Sequence, residues 1–338
     1  MIQVSKKDKT KKVKVEDAQV VDSPFKLYVE RFRKNKLAMV GLYTTIIVVA
    51  LVLGVAAYVK ITNYDLGNMQ HTIRNSAPSL KYPFGTDSSG RNYMIRVFYG
   101  GLISLQVGLV ATVFATTLGV LFGGMAGYYG GKIDNLIMRF AEMVASLPLL
   151  PLAITVQATF SHLAREQRFL IMIFFIGATG WTGLARMVRG QILSLREQEF
   201  MTAAKAMGIR PRQQIIRHLV PNVIAHVILS AISSFAGAIM IEATLSFLGL
   251  SVQEPTPTWG RLLNLAKTST IMRTQWWLWV FPGILLVTLI IGVNLIGEGL
   301  RDAVDPRSNI KFNRAKKDKK FFIFNKKSKE VTAWVKTY

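Results

Sequence analysis

The chain has 338 residues, of which 51% are hydrophobic, and its formal net charge is +23. This composition excludes an ordinary soluble domain and indicates a membrane protein with several spans. The sequence contains no cysteine, which excludes disulfides, thiolate nucleophiles and thiolate metal sites. Its four histidines do not pair at the spacing that puts two ligands on one helix face, so no metal site is predicted.

Six stretches are long and apolar enough to cross a bilayer, which requires about 20 residues. They cover residues 37–59, 102–128, 136–160, 169–188, 223–250 and 276–297. The third is interrupted by Pro148 and Pro151, which a span tolerates where neighbouring helices satisfy the freed carbonyl groups. The sequence therefore predicts an all-α membrane protein with six transmembrane helices.

The basic residues predict the orientation of these spans. With both termini in the cytoplasm, 32 of the 42 Lys and Arg residues lie on the inner side, as the positive-inside rule requires. Trp276, Trp277 and Trp279 then open the last span at the outer interface, where aromatic belts occur. Basic segments at the cytoplasmic face of the membrane thereby explain the positive net charge. Nucleic acid is therefore not an expected partner.

The chain divides into five parts on this basis. They are a basic cytoplasmic segment (1–36), the first transmembrane helix (37–59), an extracytoplasmic loop (60–99), a core domain of five helices (100–300) and a basic cytoplasmic tail (301–338). The Lys-rich first 21 residues are predicted to be disordered. The tail mixes lysines with aromatic residues, so it is either a solvated tail or a segment adsorbed on the anionic lipid of the inner leaflet.

A polar, amphipathic segment, residues 196–221, lies between two spans. Four apolar residues in its first half are at helical spacing and form one stripe: Phe200, Ala203, Ala204 and Met207. Gly208 ends this helix by adopting positive φ, Pro211 suits the first turn of a second helix, and Pro221 marks the entry to the next span. The segment is predicted to be a helical hairpin.

The hairpin resembles the cytoplasmic signature of the permease subunits of ATP-binding-cassette (ABC) importers. That signature is Glu-Ala-Ala, three residues, Gly, nine residues, and a hydrophobic-x-Leu-Pro ending. Thr202 stands in place of the glutamate and His218 in place of the hydrophobic residue. The resemblance implies that the hairpin docks on an ATPase rather than lying on lipid, through Glu199, Thr202, Ala203, Ala204, Ala206, Met207, Gly208, Arg210, Pro211 and Pro221.

Further segments narrow the resemblance. Residues 83–92 read PFGTDSSGRN, residues 242–250 read EATLSFLGL, residues 255–260 read PTPTWG and residues 297–307 read GEGLRDAVDPR. In this order they are similar to the C-type permease subunit of dipeptide/oligopeptide ABC importers, over about residues 25–307. The fold implied is that of type I ABC importer permeases, with both termini cytoplasmic and a cytoplasmic coupling hairpin.

The resemblance also implies the function and the partners. The chain would be a transport subunit without catalytic residues, taking up di- or oligopeptides across the bacterial cytoplasmic membrane; nickel complexes or another small solute are the alternative. Its partners would be a homologous permease, two ABC ATPase subunits and an external peptide-binding protein. ATP and Mg would be used by the ATPases, because the glycine-rich stretch around Lys132 lacks the residues of a phosphate-binding loop.

Three features have two interpretations each. Asp87 and Arg91 lie in a compact outer turn, which either contacts the binding protein or seals the end of the bundle. Glu242 lies within a span, where a carboxylate faces protein or water, so it either lines the translocation path or is a structural hydrogen-bonding group. Glycines recur every four residues in the second span and permit close helix packing, within the chain or with the partner permease: Gly119, Gly123 and Gly127.

Overall fold

The computed structural model describes residues 24–250 and 256–304. These residues form helices, with one isolated bridge between Thr86 and Asn92 and no strand. The α-helices are α1 Pro24–Lys34, α2 Lys36–Ile61, α3 Tyr93–Tyr129, α4 Gly131–Ser146, α5 Leu149–Thr159, α6 Arg165–Leu195, α7 Glu199–Ala206, α8 Pro211–Gln213, α9 Val220–Phe247, α10 Trp259–Asn264, α11 Ser269–Thr274 and α12 Trp277–Val304. The predicted all-α class is confirmed.

Five helices of the described residues are long and apolar enough to span a membrane: Lys36–Ile61, Tyr93–Tyr129, Gln167–Leu195, Pro211–Phe247 and Trp277–Val304. The predicted third span is instead two helices, α4 and α5, bent by 84°. The bend falls at Leu147, which is extended because the following Pro148 disfavours helical geometry at the residue before it. The count is therefore five spans, or six if the bent pair is one.

The second span, α3, is the centre of the bundle and packs against α2, α6 and α9. Its glycines face α6: a Cβ added to Gly119 would lie 2.3 Å from the Leu184 side chain, and one added to Gly123 would lie 2.5 Å from the Ala185 carbonyl oxygen. A Cβ on Gly127 would lie 2.9 Å from the Arg189 carbonyl oxygen. Of the two interpretations of this glycine face, packing within the chain is the one that the structure shows.

We expect Gly123→Ala to destabilise the folded chain by about 1–3 kcal/mol, because overpacking a tight helix contact costs that much. Gly54→Ala in α2 is the matched control, since nothing lies within 4 Å of its Cβ position and alanine has the higher helix propensity. Thermal unfolding in detergent compares the two variants. A Gly123→Ala protein as stable as Gly54→Ala would contradict the close α3–α6 contact.

The start of the last span differs from its prediction. Only part of the tryptophan cluster is exposed: Trp276 is exposed, whereas Trp277 is buried and its indole N–H donates to the carbonyl oxygen of Thr86 at 3.3 Å. The assignment of Trp277 to an interfacial belt is therefore wrong, because the outer segment before α3 folds over it. Trp277 joins a core cluster with Tyr93 and Leu278 and fixes that segment to α12.

The end of the bundle that is predicted to face the cytoplasm is closed by a helix that the sequence analysis did not predict. Helix α1 lies against the end of α12, where the Arg31 guanidinium donates to the carbonyl oxygen of Ala303 at 3.2 Å. Asn35 caps α2 and donates to the Asp302 carboxylate at 3.3 Å. The predictions for the first 21 residues and for the tail from residue 305 onward lie outside the described residues.

Candidate functional site

The polar segment 196–221 contains the predicted turn between two helical arms. Helix α7 ends at Ala206, and Gly208 follows with φ +70°, the left-handed conformation that glycine adopts without a steric penalty. The amide of Ile209 then donates to the carbonyl oxygen of Ala204 at 3.2 Å and closes the helix end. Pro211 occupies the first turn of the second arm, so the turn between the arms has the glycine and the proline that were predicted for it.

The second arm does not end at Pro221. It passes from α8 through a π-helical turn, Gln214–Leu219, directly into α9, so that one continuous helix covers Pro211–Phe247. A proline inside a helix removes an i→i−4 hydrogen bond. The π turn immediately before Pro221 changes the hydrogen-bond spacing there, since π-helical bonds are of the i→i+5 type. The hairpin is therefore fused to a span, which the proline position alone did not reveal.

The apolar residues of α7 do not form the single stripe that was predicted. Met201 and Ala204 are buried against the start of α9, with Met201 at 0% exposure beside Leu219. The others point outward: Phe200 is 38% exposed, Met207 is 70% exposed, and Ala203 lies exposed between them. We call Phe200, Ala203 and Met207 the outer apolar face of the hairpin.

Polar and small residues surround the outer apolar face. All of the other candidate coupling residues are exposed: Glu199, Thr202, Ala206, Gly208, Arg210, Pro211 and Pro221. Arg212 and Arg217 are exposed as well and add positive charge to the second arm. Of the ten predicted coupling residues, Ala204 alone is buried, at 2% exposure. The hairpin thus offers an apolar centre with a basic rim, which suits a protein partner that carries acidic groups.

The hairpin is tied to the end of α3 by side chains that the sequence analysis missed. Gln214 is 3% exposed, and its side chain bonds to the hydroxyl of Tyr128 and to the carbonyl oxygen of Ile209. Arg196, which ends α6 three residues before α7, donates to the carbonyl oxygens of Gly127 and Tyr128. The sequence gives no signal that separates the buried Gln214 from the exposed Gln213 beside it.

Glu242 lies in α9 at 0% exposure. Its carboxylate accepts hydrogen bonds from the hydroxyls of Ser104 (2.9 Å) and Ser246 (2.5 Å). Ser104 in turn accepts from the backbone N–H of Trp259 at 3.2 Å, and Trp259 is itself fully buried. Glu242 therefore joins α9, α3 and α10 in one hydrogen-bonded network, a geometry that favours the structural interpretation of this carboxylate over the translocation path.

The outer turn that contains Asp87 is closely bonded. The Asp87 carboxylate accepts from the backbone N–H groups of Ser89 (2.9 Å) and Arg91 (3.0 Å), and it pairs with the Arg91 guanidinium at 2.7 Å. Gly90 has φ +74°, and a Cβ there would lie 1.8 Å from the carbonyl oxygen of Gln70. Asp87 is buried at 3% exposure, and its carboxylate bonds to groups of the turn itself. This geometry supports the interpretation of the turn as a cap that seals the end of the bundle.

Comparisons with known proteins agree with this architecture. Residues 119–310 match the family described as binding-protein-dependent transport system inner membrane component, and residues 23–78 match the N-terminal TM domain of oligopeptide transport permease C. The oligopeptide transport system permease protein OppC of Haemophilus influenzae is 38% identical over 82% of this chain and 86% of its own length. The dipeptide transport system permease protein DppC of Alkalihalophilus pseudofirmus is 36% identical over 86% of this chain and 93% of its own.

A third relative has a similar level of identity. The dipeptide transport system permease protein DppC of Bacillus subtilis is 36% identical over 82% of this chain and 84% of its own length. The two family matches cover the first span and most of the helical core, including the hairpin. The chain therefore belongs to the family of binding-protein-dependent transport system inner membrane components and is a multi-pass membrane permease of the ABC importer type.

Proposed function

We propose that this chain is one of two permease subunits of an ABC importer for di- or oligopeptides, with an ATPase docked on its hairpin. The observation that carries the proposal is the outer apolar face of the hairpin, exposed on a segment that is fused to α9. An amphipathic segment of this kind otherwise lies on lipid. Here α7 buries Met201 and Ala204 against the protein, and its outer apolar face stays exposed for a partner.

Peptide is the substrate class that the relatives support, since they are named as oligopeptide and dipeptide permeases. A homologous permease would complete the path. An apolar groove of about 490 Å³ between α3, α9 and α12, bordered by Leu109, Val113 and Phe235, is a suitable face for its helices. An external binding protein would deliver the peptide, and nucleotide-driven closure of two ATPases, which bind ATP and Mg, would move the hairpins and switch the path between its two openings.

The substrate class is tested by uptake of labelled peptides of two to six residues in cells deleted for this gene. Loss of uptake that the wild-type gene restores would support a peptide importer and define its length range. The strain should also lack other peptide importers, so that redundancy cannot mask the effect. Unchanged peptide uptake in that strain, together with lost uptake of nickel complexes, would overturn the peptide assignment and leave the permease family intact.

We expect Gly208→Val to uncouple ATP hydrolysis from uptake. A β-branched residue is strained at φ +70°, by roughly 1–2 kcal/mol, and straightening the turn would displace α7 from its partner. Gly208→Asn is the matched control, because asparagine tolerates this conformation and nothing lies within 4 Å of the Cβ position. Hydrolysis and uptake are measured together in proteoliposomes; normal uptake by the valine variant would contradict the role of the turn.

A further inference from the structure

Tyr128, in the last turn of α3, contacts the hairpin at its entry, through Arg196, and in its second arm, through Gln214. On the entry side, the Arg196 guanidinium donates to the carbonyl oxygens of Gly127 at 3.2 Å and Tyr128 at 3.3 Å. These carbonyl groups have no partner within the helix because they belong to its C-terminal end. A cation placed there also suits the negative end of the helix dipole. The end of α6, three residues before α7, is thereby fixed to the end of α3.

On the exit side, the contact is made by the side chain of Gln214. Its Oε1 accepts from the Tyr128 hydroxyl at 2.8 Å, and its Nε2 donates to the carbonyl oxygen of Ile209 at 2.7 Å. Ile209 directly follows Gly208, so the second bond reaches the turn at the tip of the hairpin. A single side chain, 97% buried, thus connects the tip of the hairpin to the end of α3.

Gln214 also opens the π-helical turn through which the hairpin continues into α9. π turns are rare in proteins, and many of those that exist lie at functional sites. On the other side of this turn, Leu219 is fully buried between α7 and α9. The hairpin is therefore connected to the transmembrane helices in two ways. The backbone continues through the π turn into α9, and the hydrogen bond between Gln214 and Tyr128 connects the hairpin to α3.

We propose that Tyr128 and Gln214 are positioning residues that make α3 follow the movement of the hairpin, in addition to α9. This inference rests on the proposed function, in which an ATPase moves the hairpin. A buried amide that loses a partner is costly, so the hairpin tip and the end of α3 move as one unit. Because α3 packs along α6 and α9, a displacement of α3 acts on both of these helices.

Tyr128→Phe and Gln214→Leu test this link, because each removes the hydrogen bond between the two side chains and keeps a side chain of similar size; Gln214→Leu also removes the bond to Ile209. Tyr129→Phe is the matched control: it is the same substitution on the neighbouring residue, which is about half exposed. The transporter is reconstituted in proteoliposomes, and peptide uptake and ATP hydrolysis are measured on the same sample. We expect uptake per ATP to fall about fivefold in Tyr128→Phe, as the loss of one net hydrogen bond predicts, and at least as far in Gln214→Leu, which loses two, with Tyr129→Phe unchanged.

The double variant Tyr128→Phe/Gln214→Leu separates a link from two independent defects. If Tyr128 acts only through its bond to Gln214, the double variant loses no more uptake per ATP than Gln214→Leu alone. Additive losses, or unchanged uptake per ATP in the single variants while the ATPase stays bound, would overturn the inference. If the wild-type chain neither retains an ATPase nor transports peptide, the proposed function itself fails, and this outcome is distinguishable from failure of the link.

A distance measurement keeps the test independent of whether these variants fold. Because the sequence contains no cysteine, spin labels introduced by Lys205→Cys on α7 and Leu121→Cys on α3 would be the only labels; both positions are exposed. With Tyr128 and Gln214 intact, we expect the same distance between the labels without nucleotide and with ATP bound to a hydrolysis-deficient ATPase. A distance that changes with nucleotide would show that the hairpin moves without α3 and would overturn the inference.

Discussion

Ala203→Glu should abolish binding of the ATPase while leaving the permease folded. Ala203 is exposed between Phe200 and Met207, at the centre of the outer apolar face. A carboxylate there would have to be desolvated against the partner without an assigned counter-charge, and central contacts in interfaces contribute 2 kcal/mol or more, about thirtyfold in affinity. The loss is measured as the fraction of ATPase that co-purifies with the tagged permease.

Asn135→Glu is the control for this charge change. Asn135 is exposed near the start of α4, in a turn predicted to face the cytoplasm but outside the hairpin, so the same carboxylate is added on the same side of the membrane. We expect this variant to retain the ATPase. Equal retention of the ATPase by Ala203→Glu and Asn135→Glu, with both proteins folded, would show that the outer apolar face is not the docking surface.

Glu242→Ala should destabilise the permease by about 3 kcal/mol, lowering its melting temperature by roughly 5–10 °C. The substitution leaves the hydroxyls of Ser104 and Ser246 without their acceptor in a region that excludes water. It also opens a cavity beside Trp259. Thermal unfolding in detergent measures the effect directly.

Glu242→Gln distinguishes the structural role from a role in the path. Serine hydroxyls both donate and accept, so they can rotate to meet an amide, and we expect the glutamine variant to keep most of the stability and of the uptake. If Glu242 instead contacts a peptide amino group, Glu242→Gln would fold normally and lose uptake. Such a result would contradict the hydrogen-bond network as the reason for this carboxylate.

The sequence was informative where a residue has a strong local preference. Gly208 and Pro211 each restrict the backbone, and the structure has the turn that they predict. The apolar lengths of the spans were equally reliable, because any helix that crosses the bilayer must satisfy its own backbone. The interruption at Pro148 was visible too, but its size was not. An 84° bend depends on the packing around it as well as on the proline.

The features that were missed depend on contacts between distant parts of the chain. In the sequence, Trp277 has the position of an aromatic belt residue. In the structure, the segment around Thr86, 191 residues away in sequence, covers it. The direction of α7 was undetermined in the same way: helical spacing grouped Ala204 with Phe200, but packing against Leu219 turns Ala204 and Met201 inward. The periodicity of apolar residues predicts which of them share a helix face, but it does not predict what that face packs against.

The most direct measurement of the central claim is photocrosslinking from the outer apolar face of the hairpin. A photoreactive label is attached to Met207→Cys, the only cysteine then present in the permease, and membranes that contain the assembled transporter are irradiated. The account predicts one major adduct with the ABC ATPase, which disappears when Ala203→Glu is combined with it. Crosslinking only to lipid, with the ATPase present and bound elsewhere, would contradict it.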